Sequence, residues 1–240
     1  MPRQPYLKLI DRNLSDRLDF SITGLERRPQ LMTLIAQCVT AWPTVEIEMT
    51  MILGHLLGTK SAATIAVFEQ LRRSSAQRDA IMAAANIVLD EMDRELLSAS
   101  LNAHKAIESE RNAFAHGHFG TSLRLPDCLI WMSSTDYIPT RSNIVLANLI
   151  PNVSEMAKNI YAYRLDDLKK VFSDIDWLID HWVKLLEYLR LPAGELGTRG
   201  KEYRRLCGQP HIARELEILR RKNNPPRLPQ PPTPIGGEKA

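Results

Sequence analysis

Apolar residues recur every three or four positions over most of this chain, the spacing that gathers them on one face of a helix. Leu31, Leu34, Cys38, Trp42, Val45, Met49, Ile52 and Leu56 predict one long helix, kinked but not ended by Pro43 and closed by Gly58. Ser61 is placed to cap a second helix carrying Ile65, Phe68 and Leu71 on its inner face. Ser75 is placed to cap a third through Ile81, Ala85 and Val88. A fourth starts near Asp90, turns Met92, Leu96, Ala99, Ala103, Ile107 and Phe114 inward and Glu91, Asp93, Arg94 and Lys105 outward, and stops at Gly117, a residue suited to the left-handed position after a helix.

The period then changes to two. Phe119–Leu125 and Cys128–Ser133 are short runs rich in β-formers around Pro126-Asp127, which predicts a small hairpin. Residues 134–163 carry no single pattern. Asp166 is placed to cap a strongly amphipathic helix through Leu168, Val171, Phe172, Ile175, Leu178, Trp182, Leu185 and Leu189, ended by Pro192 and Gly194. The expected architecture is mainly α: an N-terminal arm (1–28) with Leu14, Leu18, Phe20 and Ile22 as apolar anchors, a helical domain (29–192) with its hairpin at about 119–133, and a basic, Pro-rich, largely disordered tail (193–240). Within that tail only about 210–222 reads as helical, before a stretch with six prolines in eighteen residues.

Composition fits an ordinary globular chain: 240 residues, 44% hydrophobic and 25% charged. That excludes wholesale disorder, collagen and a disulfide scaffold. No apolar stretch approaches the roughly 20 residues that cross a bilayer, and the first residues lack the apolar core of a signal peptide, so a cytoplasmic protein without a membrane partner is expected. Cys38, Cys128 and Cys207 are widely spaced, with neither a C-x-x-C pair nor a His at ligand spacing, and are expected to be reduced, with at least two of them filling the core; no metal or cofactor is expected. Residues 199–240 hold ten Lys/Arg against four Asp/Glu, net +6, which leaves −3 on the other 198. Such a segment either attracts polyanions such as RNA or is a solvated helix face and tail; the prolines could also dock a protein partner.

Phosphate-loop, dinucleotide, zinc-protease and hydrolase motifs are all missing. His55, His104, His181 and His211 stand singly and read as surface or core imidazoles. Glu108-Ser-Glu110-Arg111-Asn112-Ala-Phe-Ala-His116-Gly117-His118 is the one stretch that concentrates chemistry. Asn112 and His116 are one turn apart on one face; Arg111 is about 140° around from His116, within the swing of a long side chain. A permanently charged guanidinium near an imidazole that titrates around neutrality offers a phosphate clamp and a general acid or base in one patch, chemistry that calls for no metal. The same residues could equally be structural, with Arg111 paired to a carboxylate and His116 bonded to the frayed last turn.

The string R-N-A-F-A-H at the C-terminal end of a long helix in a helical chain resembles the HEPN superfamily (higher eukaryotes and prokaryotes nucleotide-binding domain), over about residues 30–190. The resemblance implies a helical bundle that dimerises with its two motifs facing each other. It also implies, for many members, a metal-independent endoribonuclease active in toxin–antitoxin or antiviral defence. Carried onto this sequence, Arg111 and His116 take the catalytic positions and Asn112 the polar position between them. Glu108 or Glu110 would hold Arg111, and His118 would assist. The competing reading is a non-catalytic helical dimer, serving either as an interaction scaffold or as a nucleotide-binding module.

Overall fold

The computed structural model describes residues 3–10, 16–59, 62–71, 73–146, 156–192 and 196–223. Helices dominate, around one small antiparallel sheet. Two short strands, β1 (Gln4–Pro5) and β2 (Leu18–Asp19), precede helix α1 (Ile22–Glu26), the long α2 (Pro29–Leu56), α3 (Ala62–Gln70), α4 (Ser74–Val88) and α5 (Glu91–His116). Strands β3 (Gly117–Ser122) and β4 (Cys128–Ser133) form the expected hairpin and lead into α6 (Ser134–Leu146). Then come β5 (Tyr161–Arg164), α7 (Leu165–Leu189), α8 (Leu196–Cys207) and α9 (Pro210–Asn223).

Helix α2 carries Pro43 without interruption and ends as expected at Gly58, whose φ of +62° lies in the left-handed region. Its stripe packs mainly against α7, burying Cys38, Trp42, Val45 and Ile52 against Ile175, Leu178, Trp182 and Leu185. Helix α4 starts at Ser74, without a side-chain cap. Asp90 does cap α5, accepting from the Asp93 amide. At α7 the cap is displaced from the expected Asp166: the Asp167 carboxylate accepts the Arg164 amide at 2.8 Å, because strand β5 runs straight into the helix and leaves that amide open.

The sheet, in order β1-β5-β4-β3-β2, is larger than the predicted hairpin. Strand β4 has two apolar faces, which explains its unbroken Cys-Leu-Ile-Trp-Met run. Leu129 and Trp131 join the helical core with Tyr163, while Cys128, Ile130 and Met132 form a second core with Tyr6, Ile160 and Ala162. A strand buried on both sides needs a neighbour on each edge, and β5, from the unassigned stretch 134–163, is the second neighbour. The N-terminal arm adds β1 and β2 and the buried Tyr6; of its expected anchors Ile22 is exposed, and Leu14 lies outside the described residues.

Gly117 departs from the expected left-handed cap. Its backbone is extended, φ −97° and ψ 166°, since the chain passes directly from α5 into β3. Glycine is required there by contact: a Cβ would lie 1.7 Å from the Trp131 indole nitrogen, which donates to the Ala113 carbonyl at 2.8 Å.

The helix α5 faces differ from expectation at two places. Met92 is 54% exposed and Asp93 is buried. Asp93 accepts from the Tyr188 hydroxyl at 2.5 Å and is paired with Arg199, whose guanidinium lies over the Tyr188 ring and also donates to the Leu191 carbonyl at 3.0 Å.

That pair anchors part of the segment expected to be largely disordered, and over 196–223 the expectation does not hold. Residues 196–223 form α8 and α9, folded back with Leu206, Ile212 and Leu216 buried and with α9 along α5. Their long polar stretches mask three widely spaced apolar contacts, which is why periodicity recovered only one of the two helices. The Pro-rich residues 224–240 lie outside the described ones.

Two substitutions test these packing devices. Gly117→Ala should destabilise the fold by about 1–3 kcal/mol, because the Trp131 ring must move. Arg199→Met should cost about 3–5 kcal/mol by leaving the Asp93 carboxylate buried and unpaired. Urea unfolding midpoints measure both.

Candidate functional site

Helix α5 presents the motif residues in three directions. Arg111 turns toward α2. Its guanidinium lies 5.5 Å from the centroid of the Trp42 ring, its Nη1 donates to the Asn112 side-chain oxygen at 3.1 Å, and its Nε is buried with no hydrogen-bond partner. The aromatic face attracts the cation. Arg111 and Asn112 are thus brought together.

His116 is the last residue of α5 and is exposed. Its carbonyl, otherwise open at a helix end, accepts from the Ser134 hydroxyl at the start of α6. Its imidazole makes no hydrogen bond, ion pair or ring contact among the described residues. The structure therefore leaves it free instead of tying it to Arg111 or Asn112.

The supporting residues are dispersed. Glu108 pairs with Arg78 of α4, Oε2 to Nη1 at 2.6 Å, and Arg78 also donates to Ser74 at 2.5 Å. Glu110 faces a cleft of about 290 Å³ between α5, α7 and α9, lined in part by Lys170, Asp174, His211 and Arg214. One Glu110 oxygen is buried there with no hydrogen-bond partner, and burial pushes its carboxyl above the usual range. Neither glutamate holds Arg111. His118 follows the alternation of β3: Phe119 packs into the helical core, while His118 emerges opposite and stacks on Tyr137 of α6, ring centroids 4.0 Å apart.

Beneath Arg111 lies a cluster that spacing did not reveal. Trp42 donates to Glu46 at 3.1 Å and packs 5.2 Å from the ring of His104, which in turn meets the edge of Trp182. His104 is buried, its Nδ1 has no hydrogen-bond partner, and burial drives its pKa well down against the opposing pull of Glu108. The sequence did contain one usable signal: His104, Glu108 and Arg111 follow at i, i+4 and i+7, a single stripe. Arg78, 30 residues from Glu108, left none.

The other histidines follow the expectation of surface or core imidazoles. His181 is buried, bridging Ser100 at 2.8 Å and Gln209 at 2.7 Å. His211 lies 3.3 Å from Asp174 and against Trp177. Cys38 and Cys128 are buried core residues, and all three cysteines are free. No group of three or more His, Cys, Asp or Glu suited to a metal ion occurs among the described residues, and no described helix is long and apolar enough to cross a membrane.

Comparison of the chain with protein-family models, with curated proteins and with solved structures finds no match.

The buried imidazoles make stability depend on pH. Burial lowers the His181 pKa to about 4 and lowers that of His104, against about 6.5 in an unfolded chain. Their neutral forms belong to the fold, so their contribution is complete above about pH 6.5 and declines as pH falls toward 4. The urea midpoint should drop across that window, and His181→Gln should be less stable at pH 7 yet show a flatter profile.

Proposed function

We propose that this chain is a HEPN-type, metal-independent endoribonuclease in which His116 moves the proton and Arg111 stabilises the phosphorane charge. The observation that supports it best is the state of His116: exposed at the end of α5 with both ring nitrogens uncommitted, one turn beyond the hydrogen-bonded Arg111–Asn112 pair. A general acid–base group must be reachable by substrate and not consumed by internal bonds.

In this reading the ribose 2′-oxygen attacks the adjacent phosphorus and gives up its proton. The bond to the 5′-oxygen breaks and that oxygen takes a proton, leaving a 2′,3′-cyclic phosphate and a 5′-hydroxyl. Arg111, whose charge is permanent, offsets the added negative charge on the phosphorane. Asn112 fixes the guanidinium through its side-chain oxygen. The family resemblance adds a dimer with its two motifs facing each other, so that the His116 and Arg111 of two copies would serve one site. Toxin or antiviral defence is the biological setting that the family resemblance suggests, in the cytoplasm.

A second reading draws on a different observation. Arg111 is partly buried over Trp42, so the Arg111–Asn112 pair also suits a structural or interface role without turnover, in a scaffold or a nucleotide-binding module.

Cleavage of RNA by the purified chain in excess chelator separates the two. The nuclease reading expects cyclic-phosphate ends and a loss of about 10²-fold or more in rate with His116→Ala, at unchanged melting temperature. An inert native chain, or a His116→Ala variant as active as the native one, would favour the scaffold.

A further inference from the structure

The two C-terminal helices carry eight Lys/Arg against three Asp/Glu over residues 196–223. Four of the eight are committed: Arg199 to Asp93, Arg205 to Glu202 at 3.1 Å, Arg220 to Glu95 at 3.3 Å and Arg221 to Glu217 at 2.5 Å. The other four, Lys201 and Arg204 on α8 and Arg214 and Lys222 on α9, are exposed and have no ion pair or hydrogen bond from their side chains among the described residues. The chain outside 199–240 is net negative, so uncompensated positive charge is concentrated here.

These cations sit on an anchored scaffold. Gln209, in the turn between the helices, is bonded to His181; Leu206, Ile212 and Leu216 are buried; Arg199 reaches into the core. Helix α9 runs antiparallel to α5, with Arg220 beside Glu95 near the start of α5 and Arg214 in the cleft with Glu110 near its end. From Glu110 to His116 is six residues, about 9 Å of helix rise. Arg214 is therefore the cation of this set placed along α5 nearest the end that carries the proposed reacting group.

We infer that α8 and α9 form the surface that holds the sugar–phosphate backbone of RNA, through Lys201, Arg204, Arg214 and Lys222. This rests on the ribonuclease reading for the identity of the polyanion. The backbone that carries these cations is already fixed by packing, and each phosphate they neutralise releases counterions, so binding is salt-dependent and indifferent to base sequence.

The test measures affinity of the full chain for a labelled single-stranded RNA with 2′-O-methyl riboses, which binds without being cleaved, across a salt series. Replacing all four residues by Gln should weaken binding tenfold or more at low salt. It should also reduce the slope of log affinity against log salt by about 3, from roughly 0.7 per contact on a single strand. The paired variants Lys201→Gln/Arg204→Gln and Arg214→Gln/Lys222→Gln should each give about half of that reduction. Neutralising the exposed Lys105 and Lys169 should leave the slope unchanged. An unaltered slope in the four-site variant, or an equal fall in the control, overturns the inference even if His116-dependent cleavage stands. Salt-dependent binding lost in the four-site variant supports it even if unmethylated RNA is never cut. A native chain that neither binds nor cleaves RNA overturns both readings.

Discussion

Two polar side chains on the buried face of α5 govern where the last third of the molecule goes. Asp93 and Ser100 lie two turns apart inside a helical core, where an unpaired carboxylate or a half-satisfied hydroxyl is costly. Asp93 is satisfied by groups from far along the chain, while the Ser100 hydroxyl reaches the Leu96 carbonyl of its own helix at 2.8 Å and also meets a distant imidazole. Asp93 takes Tyr188 and Arg199, and Ser100 takes His181, which in turn holds Gln209. These bonds tie α7 to α5 and, through Arg199 and Gln209, tie α8 and the turn before α9 to both. The long amphipathic stripes bring the helices together; this small set of polar contacts sets their register.

The sequence was most readable where one physical rule acted alone. The stripes of α2 and α7 and the helix start near Asp90 gave the bundle, and the shift from a period of three or four to a period of two gave the β3–β4 hairpin. It was least readable where two rules competed. Asp93 looked like a solvent-facing charge in the first turn of a helix, a favoured place for an acid, and only its distant partner Arg199 makes it interior. Strand β5 is four residues long and runs straight into α7, and its existence follows from the two apolar faces of β4. Gly117 was taken for a conformational glycine and is a steric one, since the ring that excludes a side chain there arrives from Trp131, across a strand pairing that local sequence does not announce.

The same division runs through the candidate site. Spacing placed Arg111, Asn112 and His116 within one turn or so of each other at the end of α5, where they lie. Spacing could not show that Trp42 would draw Arg111 toward α2, or that Glu108 and Glu110, two residues apart, would turn to different neighbours, one to Arg78 and the other to the cleft beside α9. A carboxylate near an arginine in sequence is a weak guide to its partner on a helix packed on several sides, because the neighbours of that helix compete for both.

The outer strands of the sheet are two residues long, and one of them contains Pro5, which has no amide hydrogen to offer. Strand β4, apolar on both faces and the kind of segment on which chains aggregate, is enclosed between partners, and the sheet tapers to stubs on either side. Among the described residues the sheet presents no long ladder of open backbone groups for another chain to extend, so its edges do not invite main-chain pairing.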